Sequence, residues 1–214
     1  MELYSKALES ATGLTKASLE AKLAKLKKVM RPRLVDVGGR VDLSQDKKRG
    51  DWSVKDGGLA IGKHRGSLCL PYQPPSEYSL RVAVTSDAAN GVAIALTKDG
   101  RGFCFELGGA ASKMTGLGRL GATPDPKNPP RVSIVLTPGR RHVCVLHVLA
   151  DRVRAYLDGQ LVIDYQTNYQ ELLPSNDVYQ PADRKILAIG SWDNPTVFHS
   201  VYMIERSGRG VVTR

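Results

Sequence analysis

The sequence predicts an all-β sandwich that follows a short basic helical segment, and two observations support this prediction. From Leu34 onward, apolar residues alternate with polar ones, which is the period of a strand with one buried face. Turn-forming pairs such as Asn90-Gly91 and Asp99-Gly100 arrive at short intervals, and no helical period intervenes. We therefore assign residues 1–33 to a helical appendage and residues 34–214 to one β-sandwich domain.

The appendage contains the clearest helical pattern in the chain. Four apolar residues at steps of four, three and four share one helix face: Leu19, Leu23, Leu26 and Met30. Thr15 is the expected N-cap and Pro32 closes the segment. Residues 3–10 are a candidate for a second short helix. Short helices cannot bury such a stripe alone, so we expect it to dock on the sandwich, on a partner or on a second copy of the chain.

Charge adds an alternative role for the appendage. Residues 1–33 carry eight Lys or Arg against three Glu, within a chain of net charge +10. Such a segment fits a polyanion or a membrane surface, and nucleic acid is the less expected partner. The simpler interpretation is a solvated helix face whose lysines stay in water, among them Lys22, Lys25, Lys27 and Lys28.

The body of the chain is expected to hold about eleven or twelve strands. The hairpin is clearest at residues 153–165, where Asp158-Gly159 suits a two-residue type I′ turn. Residues 143–149 are apolar on both faces, as in a strand covered on both sides. Residues 108–130 and 168–184 are predicted to be long loops.

Several segments resemble the concanavalin-like, laminin-G-like jelly-roll modules found in planctomycete bacteria. The resemblance rests on short motifs in a fixed order, over about residues 34–210: Trp52-Ser53-Val54, Asp56-Gly57-Gly58-Leu59, Leu70-Pro71-Tyr72 with Pro75, Glu77-Tyr78, Tyr156-Leu157-Asp158-Gly159 and Asn194-Pro195-Thr196-Val197-Phe198-His199-Ser200. These modules are akin to the keto-disaccharide hydrolase-like sandwiches. The resemblance implies two packed antiparallel sheets, one of them concave, and carbohydrate binding as the usual role.

Composition and motifs exclude several classes of function. Cys69, Cys104 and Cys144 lie in apolar stretches and fit buried thiols better than a disulfide framework. Gly116, Gly118 and Gly121 match a dinucleotide-binding pattern, but the proline-rich stretch that follows cannot form the required helix, so no cofactor is expected. No secretory leader or membrane span is seen, which predicts a cytoplasmic protein.

Catalytic and metal sites are not predicted either. Glycosidases need two carboxylates that flank one sugar bond, and no strand presents an acidic pair; Glu106 and Asp164 each stand alone. His142 and Cys144 lie on one face of a strand, and His147 lies on the other. Two ligands are too few for a zinc site. We therefore expect a binding module without catalytic residues. A glycoside hydrolase-like enzyme acting on a disaccharide derivative, or a self-assembling protein with a polyanion-binding helix, are the alternatives.

Loop residues supply the candidate binding site. Trp192, Asp193 and Asn194 follow an apolar strand and should project where strands end. Tyr165 and Asn168 follow the hairpin strand, and we expect them near the same rim. An aromatic face beside Asp and Asn offers stacking and directed hydrogen bonds to a sugar. The sequence thus predicts a module that binds a carbohydrate or a protein surface at a loop rim or a concave sheet face. The structural alternative is that Trp192 fills the edge of the core while Asn194 and His199 tie the loop to backbone.

Overall fold

A computed structural model describes residues 12–29, 32–46, 48–88, 91–109, 114–120, 131–174 and 181–214. One helix, α1 (Gly13–Val29), precedes the first strand and begins two residues before the predicted N-cap. Over residues 15–22 the side chains of α1 are exposed, except that Leu19 is half-buried. The predicted helix at residues 3–10, Met30 and the side chains of residues 23–29 lie outside the description, so docking of the apolar stripe stays a prediction.

Nineteen strands follow α1 in the described part of the chain. In order they are β1 (Arg33–Asp36), β2 (Lys48–Arg49), β3 (Trp52–Lys55), β4 (Gly58–Ile61), β5 (Gly66–Leu70), β6 (Tyr72–Gln73), β7 (Tyr78–Ser86), β8 (Val92–Lys98), β9 (Arg101–Leu107), β10 (Thr115–Leu117), β11 (Arg119–Leu120), β12 (Arg131–Val132), β13 (Arg141–Val148), β14 (Arg152–Leu157), β15 (Gln160–Gln166), β16 (Leu172–Leu173), β17 (Leu187–Ser191), β18 (Thr196–Glu205) and β19 (Val211–Val212). The excess over the predicted number consists of two- and three-residue strands, which are too short to show alternation.

Most of these strands form two antiparallel sheets. Among the described residues, the large sheet has the order β15-β14-β13-β7-β18-β4-β3, with β1 also paired to β18. The smaller sheet has the order β12-β10-β9-β8-β17-β5-β2, and β11–β16 and β6–β19 form separate pairs. The chain crosses between the two sheets several times, for example between β4 and β5, between β7 and β8 and between β17 and β18. The predicted all-β sandwich of two antiparallel sheets is confirmed.

The core lies between the two sheets and follows the strand alternation. In β7 the even-numbered residues from Tyr78 to Val84 are fully buried, and Ile94 and Leu96 of β8 face them from the smaller sheet. The Tyr78 hydroxyl donates a hydrogen bond to the Thr97 carbonyl at 2.8 Å and accepts one from the Thr97 N–H, which satisfies this polar group inside the core. Trp52 is buried, as predicted, and its ring stacks on Phe198 at 5.9 Å.

Two local expectations need correction. Strand β13 is not covered on both sides: Cys144 and Leu146 are buried, whereas Val143 and Val145 on the other face are half-buried and form part of the sheet's outer surface. Neither predicted long loop is continuous: within residues 108–130, β10 pairs with both β9 and β12, and within residues 168–184, β16 pairs with β11. A three-residue strand of Thr, Gly and Leu carries no alternation that sequence could reveal.

The predicted hairpin is confirmed. Asp158 and Gly159 both have positive φ, at 50° and 83°, and Leu157 pairs with Gln160, as a two-residue type I′ hairpin requires. The expectation of buried thiols is confirmed for Cys104 and Cys144, whereas Cys69 is only half-buried. Burial raises the pKa of the Cys144 thiol. No helix in the described ranges is long and apolar enough to cross a membrane; the cytoplasmic location stays a prediction.

Candidate functional site

The large sheet has a notch in the middle of β18. Strand β4 pairs with residues 196–198 of β18, and β1 pairs with residues 202–205, so the stretch between them borders neither strand. A bulge at His199 shifts the register with β7 at the same place, since Phe198 pairs with Val84 and Ser200 with Ala83. Bulges of this kind re-aim side chains and often lie beside binding sites.

A cleft of about 270 Å³ opens at this notch, on the outer face of the large sheet. We call it the β18 cleft. Its walls come from the segment after β1, from the β3–β4 hairpin and from β18; the lining residues are Asp36, Gly38, Gly39, Val41, Val54, Gly57, Gly58, Leu59, Phe198, His199, Ser200, Val201 and Tyr202. This volume lies near the lower end of small-molecule sites, which start at roughly 300 Å³.

Glycines allow the walls to come close. A Cβ atom on Gly58 would lie 2.7 Å from the Phe198 carbonyl oxygen and 3.0 Å from the His199 Cα, so only glycine lets β4 run against the bulge. A Cβ atom on Gly39 would lie 2.6 Å from Asp36 Oδ2. The glycine backbone therefore fixes both the width of the cleft and the position of its carboxylate.

Polar groups in the β18 cleft have unused hydrogen-bonding capacity. Asp36 Oδ1 accepts the Gly39 N–H at 2.8 Å. Within the part of the chain that the structure describes, no protein partner reaches Asp36 Oδ2, the Ser200 hydroxyl or the Tyr202 hydroxyl. A carboxylate and two hydroxyls that are open to solvent can accept from and donate to the hydroxyls of a polar ligand.

His199 forms the side of the cleft nearest β7. One of its ring nitrogens, Nε2, lies 2.9 Å from the Thr85 hydroxyl. Burial lowers the pKa of His199, nearby Arg141 lowers it further, and Asp56 opposes the shift. The imidazole is therefore neutral at neutral pH, and it can donate or accept a hydrogen bond.

A second candidate site contains the predicted residues Trp192, Asp193 and Asn194. We call these three residues and Arg65 the Trp192 corner. The Arg65 guanidinium lies 3.2 Å from the centroid of the Trp192 ring, and Asp193 Oδ1 accepts the Arg65 N–H at 3.0 Å. Asn194 Nδ2 donates to the Trp192 carbonyl at 2.7 Å. Trp192 is half-buried and packs on Ala93 and Cys104. Arginine thus occupies one stacking face, and the polar groups largely bind each other.

Tyr165 and Asn168 do not join this corner. Tyr165 pairs with Val153, which pairs with Val148, which pairs with Tyr78 at one end of the large sheet. The Trp192 corner adjoins Thr196, which pairs with Ser86 at the opposite end. The expected proximity is therefore wrong: the long strands β7 and β13 separate the two loops. Tyr165 is a core residue, 7% exposed, and the Asn168 side chain accepts the Gln170 N–H within its own loop.

The lone carboxylates stay apart in the structure. Glu106 lies on the outer face of β9 and Asp164 on the outer face of β15, so the whole thickness of the sandwich separates them. Asp164 is bound by Arg154 at 3.1 Å and Arg152 at 3.5 Å. His142 and Cys144 face the core, and His147 lies on the outer face. No group of three or more His, Cys, Asp or Glu that could hold a metal occurs among the described residues.

Sequence reasoning missed the β18 cleft as a site, although its signals were present. The segments Asp56-Gly57-Gly58 and Phe198-His199-Ser200 belong to the motifs that resemble jelly-roll modules, and the structure brings them together. Asp36 and Tyr202 carried no signal, because their convergence depends on how β1 pairs with β18. A bulge at His199 leaves no mark in an otherwise alternating strand.

No protein-family model and no curated protein matches the chain. Solved structures do. The carbohydrate binding module CBM66 from Bacillus subtilis is 13% identical with a TM-score of 0.51, over 73% of this chain and 92% of that one. Crh5 transglycosylase in complex with NAG is 16% identical with a TM-score of 0.53, over 86% and 90%. A putative glycosyl hydrolase from Parabacteroides distasonis is 14% identical with a TM-score of 0.50, over 81% and 99%. At these identities the likeness shows the fold alone, and the chain has the jelly-roll sandwich fold that carbohydrate-binding and glycoside hydrolase-like proteins share.

Proposed function

We propose that this protein is a non-catalytic carbohydrate-binding module that holds a sugar ring in the β18 cleft. The observation that supports this most is the open hydrogen-bonding capacity of Asp36 Oδ2, Ser200 and Tyr202 around one glycine-lined concavity. Sugars are recognised by hydrogen bonds to their hydroxyls and by contact with apolar and aromatic surface, and Tyr202 with Val54 supplies the latter.

The structural neighbours favour this ligand class. One of them is a carbohydrate binding module, and another, a transglycosylase, is in complex with NAG. The fold is therefore used for glycans in proteins of similar architecture. The same neighbours keep a glycoside hydrolase-like activity as the alternative, since they include a transglycosylase and a putative glycosyl hydrolase.

The geometry of the β18 cleft favours binding over hydrolysis. Glycoside hydrolysis requires two carboxyl groups that flank one bond, between about 5 and 9.5 Å apart. In the β18 cleft the lining residues include one carboxylate, Asp36. A protein that binds a glycan and releases no reducing ends from it during long incubation fits the proposal; turnover that Asp36→Asn abolishes contradicts it.

A glycan array with the purified protein tests the ligand class, and titration of the best ligand tests the site. Asp36→Ala and Tyr202→Phe should each weaken binding, the first by at least about tenfold, because a hydrogen bond to a charged group is lost. Asp87→Ala, an exposed aspartate outside the cleft, should leave the affinity unchanged. A blank array, or full affinity in both cleft variants, contradicts the proposal.

A further inference from the structure

The outer face of the large sheet is unusually rich in arginine. Four arginines project from β7, β13 and β14, and a fifth follows β18; we call them the arginine face: Arg81, Arg141, Arg152, Arg154 and Arg206. Strands β7, β13, β14 and β15 carry one outward acid, Asp164, and no lysine. Guanidinium groups bind carboxylate, sulfate and phosphate through paired hydrogen bonds that an ammonium group cannot form.

The positive charge of this face is only partly neutralised within the protein. Asp164 pairs with Arg152 and Arg154, and Asp151 adds an ion pair to Arg152 at 3.4 Å. Arg206 donates a hydrogen bond to the neutral Ser79 hydroxyl at 2.6 Å. Arg81 and Arg141 are exposed and form no ion pair with any residue that the structure describes. Within the described residues, Arg81 and Arg141 therefore lack an ion-pair partner and are available to an external anion.

Two histidines on the same face respond to this charge. The pKa of His147 is lowered by burial and then by Arg206 and Arg154. The pKa of His199 is lowered by burial and then by Arg141. Arginines thus contribute to the lowered pKa of histidines on both β13 and β18, although Asp56 opposes the shift at His199.

The arginine face begins where the β18 cleft ends. Tyr202 in the cleft pairs directly with Arg81, and directly opposed residues have Cβ atoms about 4.5–5.5 Å apart. Thr85, which is hydrogen-bonded to His199, pairs with Arg141. Arg81 pairs with Val145, four residues along β13 from Arg141, so the two arginines are spaced by roughly 13 Å along the strands. Small Ala83 lies between them on β7.

We infer that the ligand of this site is an acidic polysaccharide, in which one ring enters the β18 cleft and carboxylate or sulfate groups on that ring or its neighbours bind Arg81 and Arg141. The inference rests on the proposed function. Asp36 faces the cleft as a negative charge, so it repels an acid group on its own side and turns the acid groups towards the arginines. Tyr156, half-buried beside Val145 on the same row as Arg81, extends this surface across the sheet.

Binding to immobilised polymers of matched length tests the inference. The polymers are polygalacturonate for carboxylate, dextran sulfate for sulfate and dextran as the neutral reference, with duplex DNA as a non-glycan polyanion. We expect an acidic polymer to bind at least about tenfold more tightly than dextran, with the preference declining between about 0.05 and 0.3 M NaCl as the charges are screened. The more tightly bound of the two acidic polymers identifies the anionic group.

Substitutions test whether the arginine face causes the preference for acidic polymers. Arg81→Gln should weaken binding of the acidic polymer by at least about tenfold, and Arg81→Lys should recover part of it, because charge returns without the paired hydrogen bonds. Arg101→Gln is the matched control, an exposed arginine on β9 of the smaller sheet that should have no effect. Circular dichroism of each variant confirms that the fold is retained.

The outcomes separate this inference from the proposed function. If neutral glycans bind as tightly as acidic ones and Asp36→Ala weakens both, the acidic specificity is wrong and carbohydrate binding stands. If DNA binds as tightly as the acidic glycan and Asp36→Ala has no effect on either, the face is a general polyanion surface and the inference is overturned. If no glycan binds, both statements fail.

Discussion

Glu205 shows how single residues hold this fold together. Its side chain is completely buried and accepts hydrogen bonds from Arg33 at 2.7 Å, from the Tyr72 hydroxyl at 2.6 Å and from the Gly210 N–H at 2.5 Å. Arg209 adds an ion pair at 3.3 Å. One carboxylate thus joins β1, β6, β18 and the approach to β19. A buried charge that loses its partners is costly, so this cluster works as a unit.

We expect Glu205→Gln to lower the free energy of unfolding by about 2–3 kcal/mol, since the charge-assisted hydrogen bonds weaken while the shape is kept. Urea denaturation at neutral pH measures the loss. Glu106→Gln is the control, because its contact with Arg131 at 3.9 Å is partly exposed and should contribute less than about 1 kcal/mol. Equal stability of the two variants would contradict the structural role of Glu205.

The same residue should make stability depend on pH. Burial on its own raises the pKa of Glu205, but the hydrogen bonds from Tyr72, Gly210 and Arg33 outweigh it, and the pKa in the folded protein is lower than the ordinary value of 4.5. A depressed carboxyl pKa stabilises the fold above the unfolded-state pKa, and this contribution is lost as the pH falls below about 4.5. The stability difference between the wild type and Glu205→Gln should therefore shrink between about pH 5 and pH 3; a constant difference would speak against it.

Trp192 was predicted as a ligand-binding residue, and a substitution can decide its role. Because the ring is half-buried under Arg65 and against Ala93 and Cys104, we expect Trp192→Ala to destabilise the protein by about 2 kcal/mol, which is less than the loss for a fully buried tryptophan. Trp52→Ala, in the core, supplies the upper reference. Unchanged stability with lost glycan affinity would instead establish the Trp192 corner as the binding site.

Residue-level expectations succeeded where burial follows from alternation, and they failed where proximity depends on the pairing of strands that are distant in sequence. Trp52 starts an alternating strand, so its core position could be derived. Tyr165 is the last but one residue of β15, and only the pairing of β13, β14 and β15 shows that it lies far from Trp192. Arg65, which covers the Trp192 ring, lies 127 positions away in sequence and carries no local signal.

At the scale of elements, the β14–β15 hairpin and the β18 notch differ in how visible they are in the sequence. Asp158-Gly159 encodes its turn locally, because both residues tolerate positive φ. The notch arises because two strands, β1 and β4, pair with different parts of one edge of β18, and Gly58 is the local residue that permits it. A turn can be predicted because it depends on adjacent residues. The notch cannot, because it depends on where strands that are distant in sequence pair with β18.

Gly58→Ala tests the close approach of β4 to the bulge. A new methyl group 2.7 Å from the Phe198 carbonyl must push β4 away from β18, and we expect a loss of about 1–3 kcal/mol in unfolding free energy together with weaker glycan binding. Gly62→Ala is the matched control, because a Cβ there meets nothing within 4 Å. Thermal and urea unfolding of the two variants measure the difference in stability. Equal stability of Gly58→Ala and Gly62→Ala would show that β4 does not constrain the cleft.

At the scale of the whole molecule, the all-β sandwich could be predicted because alternation and frequent turns repeat over the length of the body. The strand order could not, since neighbours such as β7 and β18 lie more than a hundred residues apart. The appendage was recognised by its helical period, and α1 is where that period placed it. A sequence pattern within the helix does not show which surface the apolar stripe contacts, so the role of residues 1–33 stays a prediction.

Deletion of residues 1–31 tests that role while keeping Arg33 and its bonds to Glu205. We expect the sandwich to lose less than about 1 kcal/mol, because the described side chains at residues 15–22 of α1 are mostly exposed. If the appendage mediates self-association, sedimentation should show a smaller species after truncation; an identical profile rules that out. A salt titration with duplex DNA examines the polyanion alternative, for which affinity should fall steeply with salt.

The most direct test of the account is to locate the bound glycan on the intact protein. Hydrogen–deuterium exchange with and without the best array ligand measures this by segment. We predict slower exchange at residues 36–41, 54–59 and 198–202, the three walls of the β18 cleft. Protection confined to residues 62–65 and 192–194 would place the site at the Trp192 corner and contradict the account.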